Sequence, residues 1–173
     1  MIHKKGWWRV VVEHVVGSYG RVVMGLEALL PLFDLSARLY LAQIFWTGGI
    51  VKLSSWMSTV TLFTKVYDVP LLPPEMAACV TTAVELGGSF LLAIGLAGRW
   101  AALLLFGLNI VASISHGRLS EAALQEAFYI GTLFLYFILH GPGLLSADAV
   151  VHYLAGWKQT PSRSVPVAAM SVR

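Results

Sequence analysis

The chain has 173 residues, of which 57% are hydrophobic and only 12% charged, with a formal net charge of +3. A soluble domain carries about a quarter charged residues, so this composition excludes a water-solvated globular domain and makes lipid the solvent, with room for one folding unit. The basic residues sit at chain ends and loops rather than in a run interleaved with aromatics, which argues against nucleic acid as the partner, and the single cysteine, Cys79, excludes an internal disulfide or CxxC pair.

The fold class is all-α: an integral membrane bundle of four transmembrane helices preceded by an interfacial amphipathic helix. Residues 1–33 form that first helix. Arg9, Glu13 and Glu27 fall on one side of it at 100° per residue, Trp7 and Trp8 suit the headgroup layer, and Pro31 ends it. The apolar stretch behind Lys4 and Lys5 is broken by Glu13, His14 and Arg21, unlike a cleaved signal peptide.

Residues 34–146 form the four-span domain, with spans at about 36–58, 74–96, 100–115 and 122–139 by apolar length and flanking breakers. Asp34 or Ser36 is the expected cap of the first. The connection LFTKVYDVPLLPPE has three prolines that cannot continue a helix. Residues 147–173 form a short amphipathic segment, Ala147 to Trp157, and a disordered tail. The bias of Lys and Arg puts both termini in the cytoplasm, and the Pro-rich loop and the HGRLS turn on the outer side.

Each span carries a polar stripe, and a polar group inside a bilayer costs about 2.5–3.5 kcal/mol when charged and unpaired. On the second span Ala78, Thr82, Glu85 and Ser89 share an arc of about 60°. Asn109, Ser113 and His116 align on the third, and Gln125, Tyr129, Thr132, Tyr136 and His140 on the fourth. The first aligns Arg38, Phe45, Gly48 or Gly49, Lys52 and Trp56. Such stripes can only face one another.

Arg38, Lys52, Glu85, Asn109 and Tyr129 are therefore the candidate intramembrane cluster, with Lys52 and Glu85 as its ion pair and Arg38 about 21 Å along the helix from Lys52. The ordinary alternative is that these groups make only the packing hydrogen bonds that lock the helices. His116, Gln125 and Glu126 are candidates for a polar or metal site at the outer face, against the ordinary alternative of a solvated loop.

Three segments, RLYLAQIFWTGGIVKL, VELGGSFLLAIGLAGRWAAL and HGPGLLSAD, resemble the DoxX family of small four-span bacterial membrane proteins, over about Ser36 to Ala149. Within it, LFTKVYDVPLLPPEMAA and LFGLNIVASIS resemble the HvfX branch, associated with maturation of copper-binding ribosomal peptides, the bufferins. The family pattern carries over at Arg38, Gly49, Lys52, Glu85, Gly95, Arg99, Asn109, Gly141 and Gly143. Thr47-Gly48-Gly49 departs from the usual serine-glycine, and Lys65-Val66 stands where an acidic residue often precedes the tyrosine.

The resemblance implies a bacterial inner-membrane protein. The leading expectation is an accessory membrane subunit of a redox or copper-binding-peptide maturation pathway. Its polar pocket would handle a quinone or protons, and if it is catalytic it is an oxidoreductase subunit linked to quinone. The rival is a non-catalytic anchor or scaffold for partner proteins. The bilayer is the first partner in either case, with other pathway proteins or further copies of the chain beside it.

Overall fold

The computed structural model describes residues 5–66, 72–115 and 120–156 and, for residues 5–10 and Glu13, the backbone alone. The described residues form six helices: α1 (Lys5–Ser54), α2 (Trp56–Lys65), α3 (Pro74–Ile94), α4 (Gly98–Ser115), α5 (Glu121–His140) and α6 (Ala147–Leu154). Three of them, α3, α4 and α5, are long and apolar enough to cross a membrane. The bundle half of α1 carries Arg38, Gln43, Thr47 and Lys52, which lower its hydropathy below theirs.

The boundary expected at Pro31 is corrected: α1 runs through it without interruption. Proline removes one backbone donor and presses on the carbonyl four residues earlier, but a long apolar helix tolerates that loss when strong helix formers flank it, as Leu26 to Leu30 and Leu32 to Leu35 do here. Neither Asp34 nor Ser36 caps a helix. Ser36 Oγ donates to the carbonyl of Leu32 at 2.8 Å, and Asp34 is buried mid-helix. At 1.5 Å per residue, α1 is about 75 Å long, well over the bilayer thickness. Most of residues 11–30 whose side chains are described are exposed, and among the described residues no side chain approaches Gly17, Gly20 or Gly25.

The helix breaks instead at Ser55, and α2 takes up the first residues of the expected loop. Thr59 Oγ1 closes the break by donating to the carbonyl of Lys52 at 3.1 Å, one of the acceptors that a helix end leaves without partner. α3 begins with Pro74 in its first turn, where a missing N–H costs nothing. It ends at Gly95, φ 70°, where Leu96 N donates to Leu91 O and Gly95 N to Leu92 O, the paired pattern of a left-handed glycine stop.

The tightest helix pairs are α1 with α3, α3 with α4, and α4 with α5. The ring closes from α5 to α1 through Phe45 and Phe134, 5.3 Å apart edge to face. Leu41, Leu92, Leu105, Phe134 and Phe137 fill the centre and are fully buried. α1 approaches α3 at Gly49, where a Cβ would stand 2.7 Å from the Leu86 side chain. The tail beyond residue 156, Trp157 included, lies outside the described residues.

Candidate functional site

Lys52 lies in the last turn of α1, where a cation also favours the negative end of the helix dipole. Glu85 lies near the middle of α3 and is buried. The close approach at Gly48 and Gly49 brings the two together: Lys52 Nζ donates to both carboxylate oxygens of Glu85 at 2.5 Å. An ammonium has three donors, so a third remains. Beside the pair is a cavity of about 50 Å³, lined by Lys52, Glu85, Thr81 and Ser115 on its polar side and by Phe63 and Leu108 on its apolar side.

That volume decides what fits. A water needs about 10–15 Å³ of such space, whereas ligand pockets run to about 300 Å³ or more. At about 50 Å³ the cavity has the size of a few waters set between hydrogen-bonding groups. The apolar centre of the bundle lies between this cavity and the Arg38 end of α1.

Arg38 is placed elsewhere and used differently. It is 1% exposed, and its two terminal nitrogens donate to the carbonyls of Pro142 at 2.9 Å and Leu145 at 2.6 Å, in the segment after α5. Its Nε has no partner among the described residues. One turn earlier Asp34 accepts from Tyr136 Oη at 2.7 Å, with His140 Nε2 4.0 Å from its other oxygen and the His140 ring stacked on Tyr136. The same segment places Asp148, whose carboxylate accepts from Ala97 N at 2.8 Å and Gly98 N at 2.9 Å. It thereby caps α4 from fifty residues away and holds Ala97 in its strained left-handed conformation, φ 49°.

The other candidates are not brought to the pair. Asn109 Nδ2 donates to the carbonyl of Ala127 at 2.9 Å, fastening α4 to α5. Tyr129 is 65% exposed beside Phe128, and Gln125 and Glu126 are exposed near the start of α5. His116 lies outside the described residues, and among those described no three His, Cys, Asp or Glu side chains could hold a metal together. The hydroxyls of Thr82, Ser89, Ser113 and Thr132 bond back to carbonyls of their own helices.

Asp34, Tyr136 and Asp148 did not stand out in the sequence as parts of one site, because their partners are backbone atoms or side chains 50 to 100 positions away. The one available signal was the motif HGPGLLSAD, which contains Asp148 and both acceptors of Arg38.

Residues 33–118 match the family model of DoxX, and the chain carries a DoxX domain there. No curated protein and no solved structure matches the chain. The domain contains Asp34, Arg38, Lys52, Glu85 and Asn109, while Tyr136, His140 and Asp148 lie beyond it.

Proposed function

We propose that this DoxX-domain membrane protein is a four-span inner-membrane protein whose Lys52–Glu85 pair takes up and releases protons inside the bundle. The fourth span is the bundle half of α1, and both termini face the cytoplasm. The observation that carries the reading is the pair itself, one cation and one carboxylate joining two helices beside a water-sized cavity. A buried ion pair is not by itself a source of stability, whereas a titratable pair next to water has a chemical use.

A proton passing from cavity water to a Glu85 oxygen turns the carboxylate into a neutral acid and frees the Lys52 ammonium from its counter-charge. The contact between α1 and α3 then weakens at the end where the chain already breaks, at Ser55. Loss of the proton restores it. The cavity is lined by Ser115 at the end of α4 and Phe63 in the last turn of α2, on the outer side in this proposed topology, while the apolar centre lies in the other direction.

In this reading the protein is an accessory subunit, coupling proton movement to a partner in a redox pathway or, following the HvfX resemblance, in maturation of copper-binding ribosomal peptides. The cavity volume favours protons over a quinone. The test is proton uptake by the purified protein in lipid nanodiscs after a pH jump, read with an indicator dye. Wild type exchanges a proton that Glu85→Gln does not, while the two melt alike. Equal exchange by both proteins overturns the proposal.

A second reading, an anchor for partner proteins, is favoured by the N-terminal half of α1, whose Val15, Tyr19, Val22 and Leu26 are exposed, with open space at Gly17, Gly20 and Gly25 among the described residues. It requires that deleting the segment before Pro31 abolish partner recovery while Glu85→Gln leaves it intact.

A further inference from the structure

Helix α6 is built the wrong way round for water. At 100° per residue, Ala147, Val150, Val151 and Leu154 share one arc of about 100°, with Asp148 and His152 together on another side. In a soluble domain the apolar arc would face the protein. Here Asp148 is fastened to the protein: its N–H donates to Gly95 O at 3.0 Å and its carboxylate accepts from Ala97 and Gly98. Val150, Val151 and Leu154 are 57%, 52% and 77% exposed.

The point of attachment fixes the depth of the helix. Gly95 to Ala97 is the turn between α3 and α4, two helices long and apolar enough to span, so that turn lies at a membrane surface. Eight residues rise only about 12 Å, too short to cross. The neighbouring ends of the spans carry exposed Trp100 and Leu139, and the approach to α6 carries exposed Leu144, so its apolar arc continues a surface already facing lipid.

We propose that α6 lies in the headgroup–acyl boundary of the bilayer with its Val150, Val151 and Leu154 face in lipid. The seating holds Asp148 on the start of α4 and, through residues 142–145, the carbonyls that receive Arg38. The bilayer surface thus becomes part of the clamp at this end of the bundle. This inference does not depend on proton handling at Glu85.

The test uses the full chain with Cys79→Ser and single cysteines at Val151, Leu154 or His152, nitroxide-labelled and reconstituted in vesicles of phosphatidylcholine and phosphatidylglycerol. These positions are exposed, so the label has room. Collision rates with oxygen, which concentrates in lipid, are compared with those of a water-soluble nickel chelate. Labels at 151 and 154 should give an oxygen-to-nickel ratio several-fold above that at 152. Equally low ratios at all three place the helix in water, equally high ones bury it without a lipid-facing side, and shielding of 151 and 154 from both reagents means that protein covers the face; any of these results overturns the proposal.

Discussion

Two cations on one helix, Arg38 and Lys52, meet the cost of leaving water in opposite ways. Arg38 is sealed and held by backbone carbonyls that cannot titrate, with Asp34 one turn away. Lys52 is held by a carboxylate that can titrate, and its side chain is 24% exposed at a cavity. Arginine's planar fork and permanent charge suit fixed carbonyls, while a lysine ammonium is a point charge that can lose its proton. The arginine end is a fastener. The lysine end is a place where charge can change.

The largest effect that would sharpen this contrast is on stability at the fastener. Arg38→Ala leaves the carbonyls of Pro142 and Leu145 without their donors, at about 1–3 kcal/mol for each buried acceptor left unsatisfied, and should show as a strongly lowered melting temperature in detergent. A milder result would mean that residues 141–146 are not held by Arg38.

Next is the contact that forms the lysine site. Gly49→Ala places a methyl 2.7 Å from Leu86. Overpacking of that kind costs about 1–3 kcal/mol and should separate α1 from α3, lowering both the melting point and proton exchange. A variant that loses stability but keeps full exchange would mean that this close approach does not set the pair. Asp148→Ala removes a cap from α4 and should cost about 1 kcal/mol, reading as faster amide exchange at Ala97 and Gly98. Unchanged exchange there would show that the cap is not held.

The smallest effect on stability belongs to Glu85→Gln. The amide keeps an acceptor for Lys52, whose side chain is 24% exposed at the cavity, so the melting point should move least of the four variants although proton exchange is lost. An Arg38-sized loss of stability would make the pair a second fastener and break the contrast.

The lysine site was legible in the sequence because Lys52 and Glu85 both fall inside expected spans and neither could stay charged alone in lipid. The arginine site was not. Arg38 shared a stripe with Lys52, and angular position cannot tell a side chain that reaches a carbonyl in a distant segment from one that reaches a charge. The polar stripes overstated the shared interior for a related reason: threonine and serine hydroxyls satisfy themselves on the carbonyl four residues back, as Thr82 and Ser89 do. Asn109 reached a carbonyl on the neighbouring helix instead. Pro31 misled because a proline stops a helix in water more surely than in an apolar setting.

The central claim is that Glu85 changes protonation inside the bundle. Infrared difference spectra of the protein in lipid, recorded between neutral and acidic pH, test it most directly. The account predicts a carboxylic-acid carbonyl stretch that grows as the pH falls, shifts in deuterated water and is missing from Glu85→Gln. A spectrum in which wild type and Glu85→Gln are indistinguishable would contradict it.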